Sequence, residues 1–150
     1  MTSIWQPKGK TIQVKTYSGQ NKISFYGATN LRTGKEHTMR CQRQNQRATI
    51  RFLGYLRRQY PKKRIAICWD GAPWHKGRLI QAYLGKVKCF SLIPFPPYSP
   101  ELNPQEKVWR QARRHVSHNH GFRTFSKLQK AFQSYLKKTK FKSNFLKAHG

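Results

Sequence analysis

The chain has 150 residues and sets 31 Lys and Arg against four acidic residues, a net charge of +27. That imbalance excludes cationic partners and points to a polyanion, with nucleic acid bound through its phosphates and released by salt. The length bounds the chain to one domain with one hydrophobic core, and a 37% hydrophobic, 13% aromatic composition excludes a disordered basic segment.

Cys41, Cys68 and Cys89 are odd in number and lack a C-x-x-C spacing, which argues against a disulfide framework or a zinc ribbon and fits a reducing compartment. The N-terminus has no apolar signal core, and no stretch approaches the length of a membrane span, so a soluble cytoplasmic protein is expected. Charge alone leaves a small ribosomal-type RNA-binding protein as the alternative.

In chain order, Thr11–Tyr17 and Lys22–Thr29 are rich in β-branched and aromatic residues and flank Ser18-Gly19-Gln20-Asn21, the pattern of a hairpin. A third strand is expected after Gly34. From Gln46 to Tyr60, Ile50, Phe52, Leu53 and Leu56 recur at three- and four-residue spacing, which predicts an amphipathic helix stopped by Pro61. Arg64 to Trp69 is a short apolar run of the kind buried on both faces of a sheet, with Asp70 at its carboxyl end. A short helix from Lys76 to Leu84 and a strand from Val87 to Ile93 follow, the latter closed by Pro94, Pro96 and Pro97. Asn103, Pro104 and Glu106 mark a helix start at N-cap, N1 and N3, with Val108, Trp109, Ala112 and Val116 as its buried stripe. The last helix runs from Phe125 to Leu136, and the chain past Lys140 is read as a basic tail, 141–150, beyond a domain of 1–140.

Strands followed by alternating helices and strands give an α/β fold. With so few acids, metal-dependent phosphate chemistry must draw on Asp70 and Glu106: one ends a buried strand, where α/β sheets present functional groups, and the other opens a helix. Hard divalent cations take carboxylate oxygens, and such ions activate water and stabilise a leaving oxygen of a phosphodiester. Each acid also has a plainer reading, Glu106 as a capping-box residue and Asp70 as a turn former before Gly71. Glu36 follows Thr33-Gly34-Lys35 and reads as a solvated turn charge. His115, His118 and His120 lack the spacing of a closed zinc site. Trp74 and Tyr98 are candidates for stacking on bases, or else for packing beside prolines.

The segments Trp69-Asp70-Gly71-Ala72-Pro73-Trp74-His75-Lys76 and Pro96-Pro97-Tyr98-Ser99-Pro100-Glu101-Leu102-Asn103-Pro104-Gln105-Glu106-Lys107-Val108-Trp109 resemble the second-aspartate motif and the third-acid signature of DDE transposases of the mariner superfamily, especially the bacterial insertion-sequence 630 type. Trp5-Gln6-Pro7-Lys8-Gly9 and Phe25-Tyr26-Gly27-Ala28 extend the likeness backwards, and forwards it reaches about Leu136. The resemblance implies an RNase H-like catalytic domain. It makes Asp70 and Glu106, 36 positions apart, the second and third catalytic carboxylates and ligands of Mg²⁺ or Mn²⁺. Glu101 matches an acid that is not a metal ligand. His75 matches the family's histidine and, with Lys76, Tyr98, Lys107 and Arg110, is a candidate DNA contact. The implied partners are transposon ends and target DNA, in a nucleoid-associated setting.

The beginning departs from the pattern. Only Met1 to Ile4 precede Trp5, no Asp occurs before Asp70, and the family's N-terminal helix-turn-helix is missing. The expectation is an incomplete RNase H-like domain lacking its first strand, inactive alone as a truncated or frameshifted fragment, or else completed by a companion fragment that supplies the helix-turn-helix and the first Asp. Loss of a central strand would leave two unpaired edges, and hence poor solubility or a homodimer.

Overall fold

The computed structural model describes residues 2–6, 11–16, 19–97, 103–117 and 124–141, with side chains described for 24–97, 103–116 and 124–141. Six strands, β1 (Thr2–Gln6), β2 (Thr11–Thr16), β3 (Gly19–Asn30), β4 (Glu36–Cys41), β5 (Ile65–Trp69) and β6 (Phe90–Pro94), form one sheet. Among the described residues five helices are interleaved with or follow them: α1 (Gln46–Gln59), α2 (Pro73–Lys76), α3 (Arg78–Lys86), α4 (Pro104–Ser117) and α5 (Phe125–Lys138).

The strand order is β2-β3-β1-β5-β6, with β4 also pairing β3. β3 is antiparallel to β1, β2 and β4, whereas β1, β5 and β6 run parallel. This corrects the expectation of a gap at the centre of the sheet. Thr2–Gln6 fills that place, pairing Ile4 with Asn30 on one side and with Ile67 on the other. A short segment carrying Ile and Trp satisfies two rows of backbone donors and acceptors that would otherwise be orphaned. What the central strand lacks is an acid, since TSIWQ contains none.

Strand alternation divides the core in two. Tyr26, Ala28, Ile65, Ile67 and Trp69 pack against Phe52, Leu53 and Leu56 of α1 and Ile80 of α3. On the other face Phe25 meets Val108, Trp109 and Ala112 of α4 and Leu128, Phe132 and Leu136 of α5. The second cluster turns on aromatic contact: Trp109 stacks on Phe132 with ring centroids 5.6 Å apart, and Phe25 lies 5.4 Å from Phe132.

Several boundaries moved for identifiable reasons. The single helix expected from Lys76 to Leu84 is two, α2 and α3, which meet at Gly77: a Cβ there would clash with the Gln46 side chain, and Gln46 Oε1 accepts from Leu79 N at 3.1 Å. β6 begins at Phe90 rather than Val87, since Val87 N donates to Tyr83 O at 2.9 Å and so ends α3. The domain does not end at Lys140. Lys140 bridges Lys35, Phe141 N donates to Gly34 O at 2.9 Å, and Phe141 is 2% exposed within the α4–α5 core. Gly34 adopts φ 70° at this turn, the left-handed region that glycine enters without steric penalty. Residues 142–150 lie outside the described residues.

Candidate active site

Backbone register sets the frame. Glu36, Thr29, Trp5, Cys68 and Ile93 form one row across β4, β3, β1, β5 and β6. At Thr29 and Glu36 this row meets α4, since both side chains hydrogen-bond Gln105. Asp70 directly follows β5, and Gly27 lies on β3 two residues before Thr29. Ala66 and Cys68 alternate with Ile65, Ile67 and Trp69, the last three facing α1 and α3, and Asp70 follows immediately after the strand.

Asp70 is held by its own loop. Its Oδ1 accepts from Ala72 N at 3.0 Å, an Asx-type turn, and lies 3.1 Å from His75 Nδ1. Its side chain is 21% exposed. His75 is placed otherwise than a DNA contact would be: it is 1% exposed and stacks on Trp69 at 4.6 Å with an interplanar angle of 3°. Stacked on Trp69 with Nδ1 3.1 Å from Asp70 Oδ1, the ring links the strand end to the loop that follows it. Trp74 packs edge-on to His75, at 6.2 Å and 78°, as a packing residue does. Lys76 is exposed beside them.

Glu106 stands in the first turn of α4. The helix start read from the sequence is present, with Asn103 Oδ1 accepting from Gln105 N at 3.1 Å and Asn103 O accepting from Glu106 N at 3.1 Å. Glu106 and Lys107 are half-buried, and Arg110 is exposed on the same helix. Tyr98, Glu101, His118 and His120 lie outside the described residues, while His115 stacks on Tyr135 at 4.3 Å.

Glu36 overturns its sequence reading. It is no solvated turn charge but 5% exposed, and it anchors the start of α4 through Gln105, the neighbour of Glu106. Its Oε2 lies 2.5 Å from Thr29 Oγ1, which is 2.8 Å from Gln105 Oε1, and Gln105 Nε2 donates to Glu36 Oε1. When Glu36 is ionised the single Thr29 hydroxyl proton faces two acceptors. A proton on Glu36 resolves this: its O–H donates to Thr29, Thr29 donates to Gln105, and Gln105 donates back, closing a ring in which each bond has one donor. Burial pushes the Glu36 carboxyl from 4.5 up to about 8, against the opposing pull of the Thr29 and Gln105 hydrogen bonds. The ring needs a bare backbone at Gly27, where a Cβ would meet Glu36 Oε1 and Trp109 Cζ2 at 2.6 Å and Gln105 Nε2 at 2.8 Å. The signal that would have found this ring is Glu36 itself, one of only four acids, opening a strand beside a Thr-bearing partner.

Asp70 follows the carboxyl end of β5, and Glu106 stands in the first turn of α4. Their carboxylate oxygens have the hardness that Mg²⁺ or Mn²⁺ requires, but the number of ligands falls short, and among the described residues no group of three or more His, Cys, Asp or Glu forms a metal site. No described helix is long and apolar enough to cross a membrane.

A profile of the DDE superfamily endonuclease family matches residues 1–129. The chain is 28% identical over 136 residues to the insertion element IS630 uncharacterized 39 kDa protein of Shigella sonnei, covering 88% of this chain and 39% of that protein. It is similar in structure to the Mos1 transposase catalytic domain solved with raltegravir and Mn, at a TM-score of 0.71 and 16% identity over 96% of this chain and 75% of that one. The Mos1 transposase paired-end complex with the left transposon end is also similar, at a TM-score of 0.68 and 16% identity, over 96% of this chain and 50% of that one. These likenesses make the fold RNase H-like, as the motifs implied.

Proposed function

Because the chain belongs to the DDE superfamily endonucleases, we propose that it is the portion of a transposase catalytic domain that supplies the second and third carboxylates, Asp70 and Glu106, for phosphodiester cleavage and 3′-OH strand transfer on DNA. What supports this reading is that one acid directly follows the carboxyl end of β5 and the other stands in the first turn of α4. The chain spans 39% of the length of the IS630 relative, so the activity of a whole protein is part of this proposal. Family membership stands against the ribosomal-type alternative, and no structural observation favours it.

Asp70 and Glu106 would hold Mg²⁺ or Mn²⁺, which when bound activates the attacking water or 3′-OH and stabilises the leaving oxygen. The chain's own residues do the positioning. His75 and the Ala72 amide orient Asp70, Asn103 and the Glu36 ring fix the first turn that bears Glu106, and Lys76, Lys107 and Arg110 draw the DNA backbone toward that edge. Tyr98 is proposed as a further DNA contact. The first carboxylate of the set is proposed to come from a companion segment that brings its own strand and the helix-turn-helix, and which must replace or rearrange the acid-free β1 at the sheet centre. Transposon ends and target are the proposed DNA partners, the proposed setting is the nucleoid of the cytoplasm, and a homodimer is a further proposal.

Titration of the purified chain with Mn²⁺, followed by the paramagnetic signal of the free ion, tests the reading without requiring turnover. Asp70→Asn and Glu106→Gln are each expected to weaken binding at least tenfold. Binding that both substitutions leave unchanged would refute the assignment.

A further inference from the structure

The edge of the sheet opposite Asp70 carries a second concentration of charge. Where β5 and β6 begin, a groove of about 460 Å³ is lined by Arg57, Lys62, Lys63, Arg64, Lys86 and Lys88, together with Val87 and Cys89. On the other side of the α1 C-terminal turn, a second groove of about 410 Å³ is lined by Lys35, Lys137, Lys138 and Lys140 around Tyr60 and His37. No carboxylate lines either groove.

Cations at helix C-termini are partly explained by the helix dipole, and Arg57, Lys86, Lys137 and Lys138 stand in last turns. That account does not reach Lys62, Lys63, Arg64, Lys88, Lys35 or Lys140, which lie in loops or at the bridge between Lys35 and Lys140. The first groove is also shaped in advance, since Arg57 Nη1 donates to Tyr60 O at 3.1 Å and to Lys63 O at 3.5 Å, folding the Pro61–Arg64 loop onto the helix end. In the second, Tyr60 presents a hydroxyl already fixed by Asn30 Nδ2 and His37 Nε2, each at 2.8 Å. Concave walls focus a field of one sign, and lysines and arginines spaced along a groove match successive backbone phosphates.

We propose that this edge is a second duplex-binding surface, which grips the sugar–phosphate backbone of a DNA segment other than the one presented to Asp70. The word "other" rests on the function proposed above. Arg64 and Asp70 flank the five residues of β5, six steps and about 20 Å of strand apart, and a duplex as stiff as DNA does not fold back over so short a distance without a large bending cost. A chain with two such edges holds two duplexes at once, as joining one DNA to another requires.

The test measures energy transfer between two short duplexes, one carrying a donor and one an acceptor, mixed with the full chain at moderate salt. The wild-type chain is expected to bring them together. Lys62→Glu, Lys63→Glu and Arg64→Glu combined, all at exposed positions, are expected to abolish transfer and to lower the slope of log affinity against log salt by about 3, while one duplex still binds. Arg114→Glu, Lys127→Glu and Lys130→Glu combined alter net charge equally at exposed sites on α4 and α5 and are expected to preserve transfer. Equal loss in both triple variants, or no transfer with the wild-type chain, overturns the proposal. If Lys76→Glu, Lys107→Glu and Arg110→Glu together leave single-duplex binding unchanged, the reading of the Asp70 edge fails while the opposite edge stands.

Discussion

Replacing Glu36 by Gln should make the protein more stable in alkaline solution and remove one component of its pH dependence. In the folded chain the Glu36 carboxyl holds its proton up to about pH 8, against 4.5 for the ordinary group. The folded state therefore binds more protons than the unfolded state between those values, so stability is highest at the acidic end of the window and falls as pH rises through it. At about 1.4 kcal/mol per unit of displaced pKa, the loss across the window is on the order of 5 kcal/mol, against a usual total of roughly 5–15 kcal/mol. The amide introduced by Glu36→Gln would present an N–H to Thr29 and a carbonyl to Gln105, reproducing the neutral ring at every pH. His37 works in the opposite sense: burial and then Lys35 lower it from 6.5 to about 4, so its contribution is lost as pH falls through that range. The difference between wild type and variant cancels His37. Urea unfolding of both chains from pH 5 to pH 9 is the assay. Coinciding curves near pH 5 that diverge by several kcal/mol near pH 9, with the variant the more stable, are expected. Parallel curves would refute the neutral ring.

Glu36→Ala, by contrast, strips Thr29 and Gln105 of partners in a buried site and should cost about 1–3 kcal/mol at pH 5, read from the urea midpoint. Gly27→Ala places a methyl group within 2.6–2.8 Å of Glu36, Trp109 and Gln105 and should cost about 1–3 kcal/mol or more, with no gain from lost backbone freedom. Trp109→Ala opens a cavity among Phe25, Phe132 and Val108 and should cost about 3–5 kcal/mol, measured by thermal or urea unfolding. His75→Ala should lower Mn²⁺ affinity by about 10- to 100-fold if the ring orients Asp70, with helix content unchanged by circular dichroism.

The four acids show what a sequence does and does not carry. Asp70 and Glu106 were legible as candidates because their surroundings are local: an apolar strand before one, an Asn-Pro helix start before the other, and motif residues adjacent in the chain. The strands and helices were legible for the same reason, since the spacing of apolar residues is a property of each segment. Glu36 was misread because its partners, Thr29 and Gln105, are 7 and 69 positions away. No local pattern distinguishes a turn charge from a carboxyl that a distant helix will bury. Gly77 and Gln46 repeat the lesson in reverse, since the helix break lies against a side chain far earlier in the chain.

By itself, then, the sequence determined the α/β order, the apolar stripes of the helices, the basic character of the chain and the two candidate carboxylates, because all of these follow from composition, periodicity and contiguous motifs. Only the tertiary structure decided that Thr2–Gln6 closes the centre of the sheet, that His75 lies inside, that Phe141 belongs to the core and that Glu36 holds its proton. Each of those depends on which groups are brought together across the sheet, and burial and hydrogen bonding between distant residues have no signature until the chain is folded.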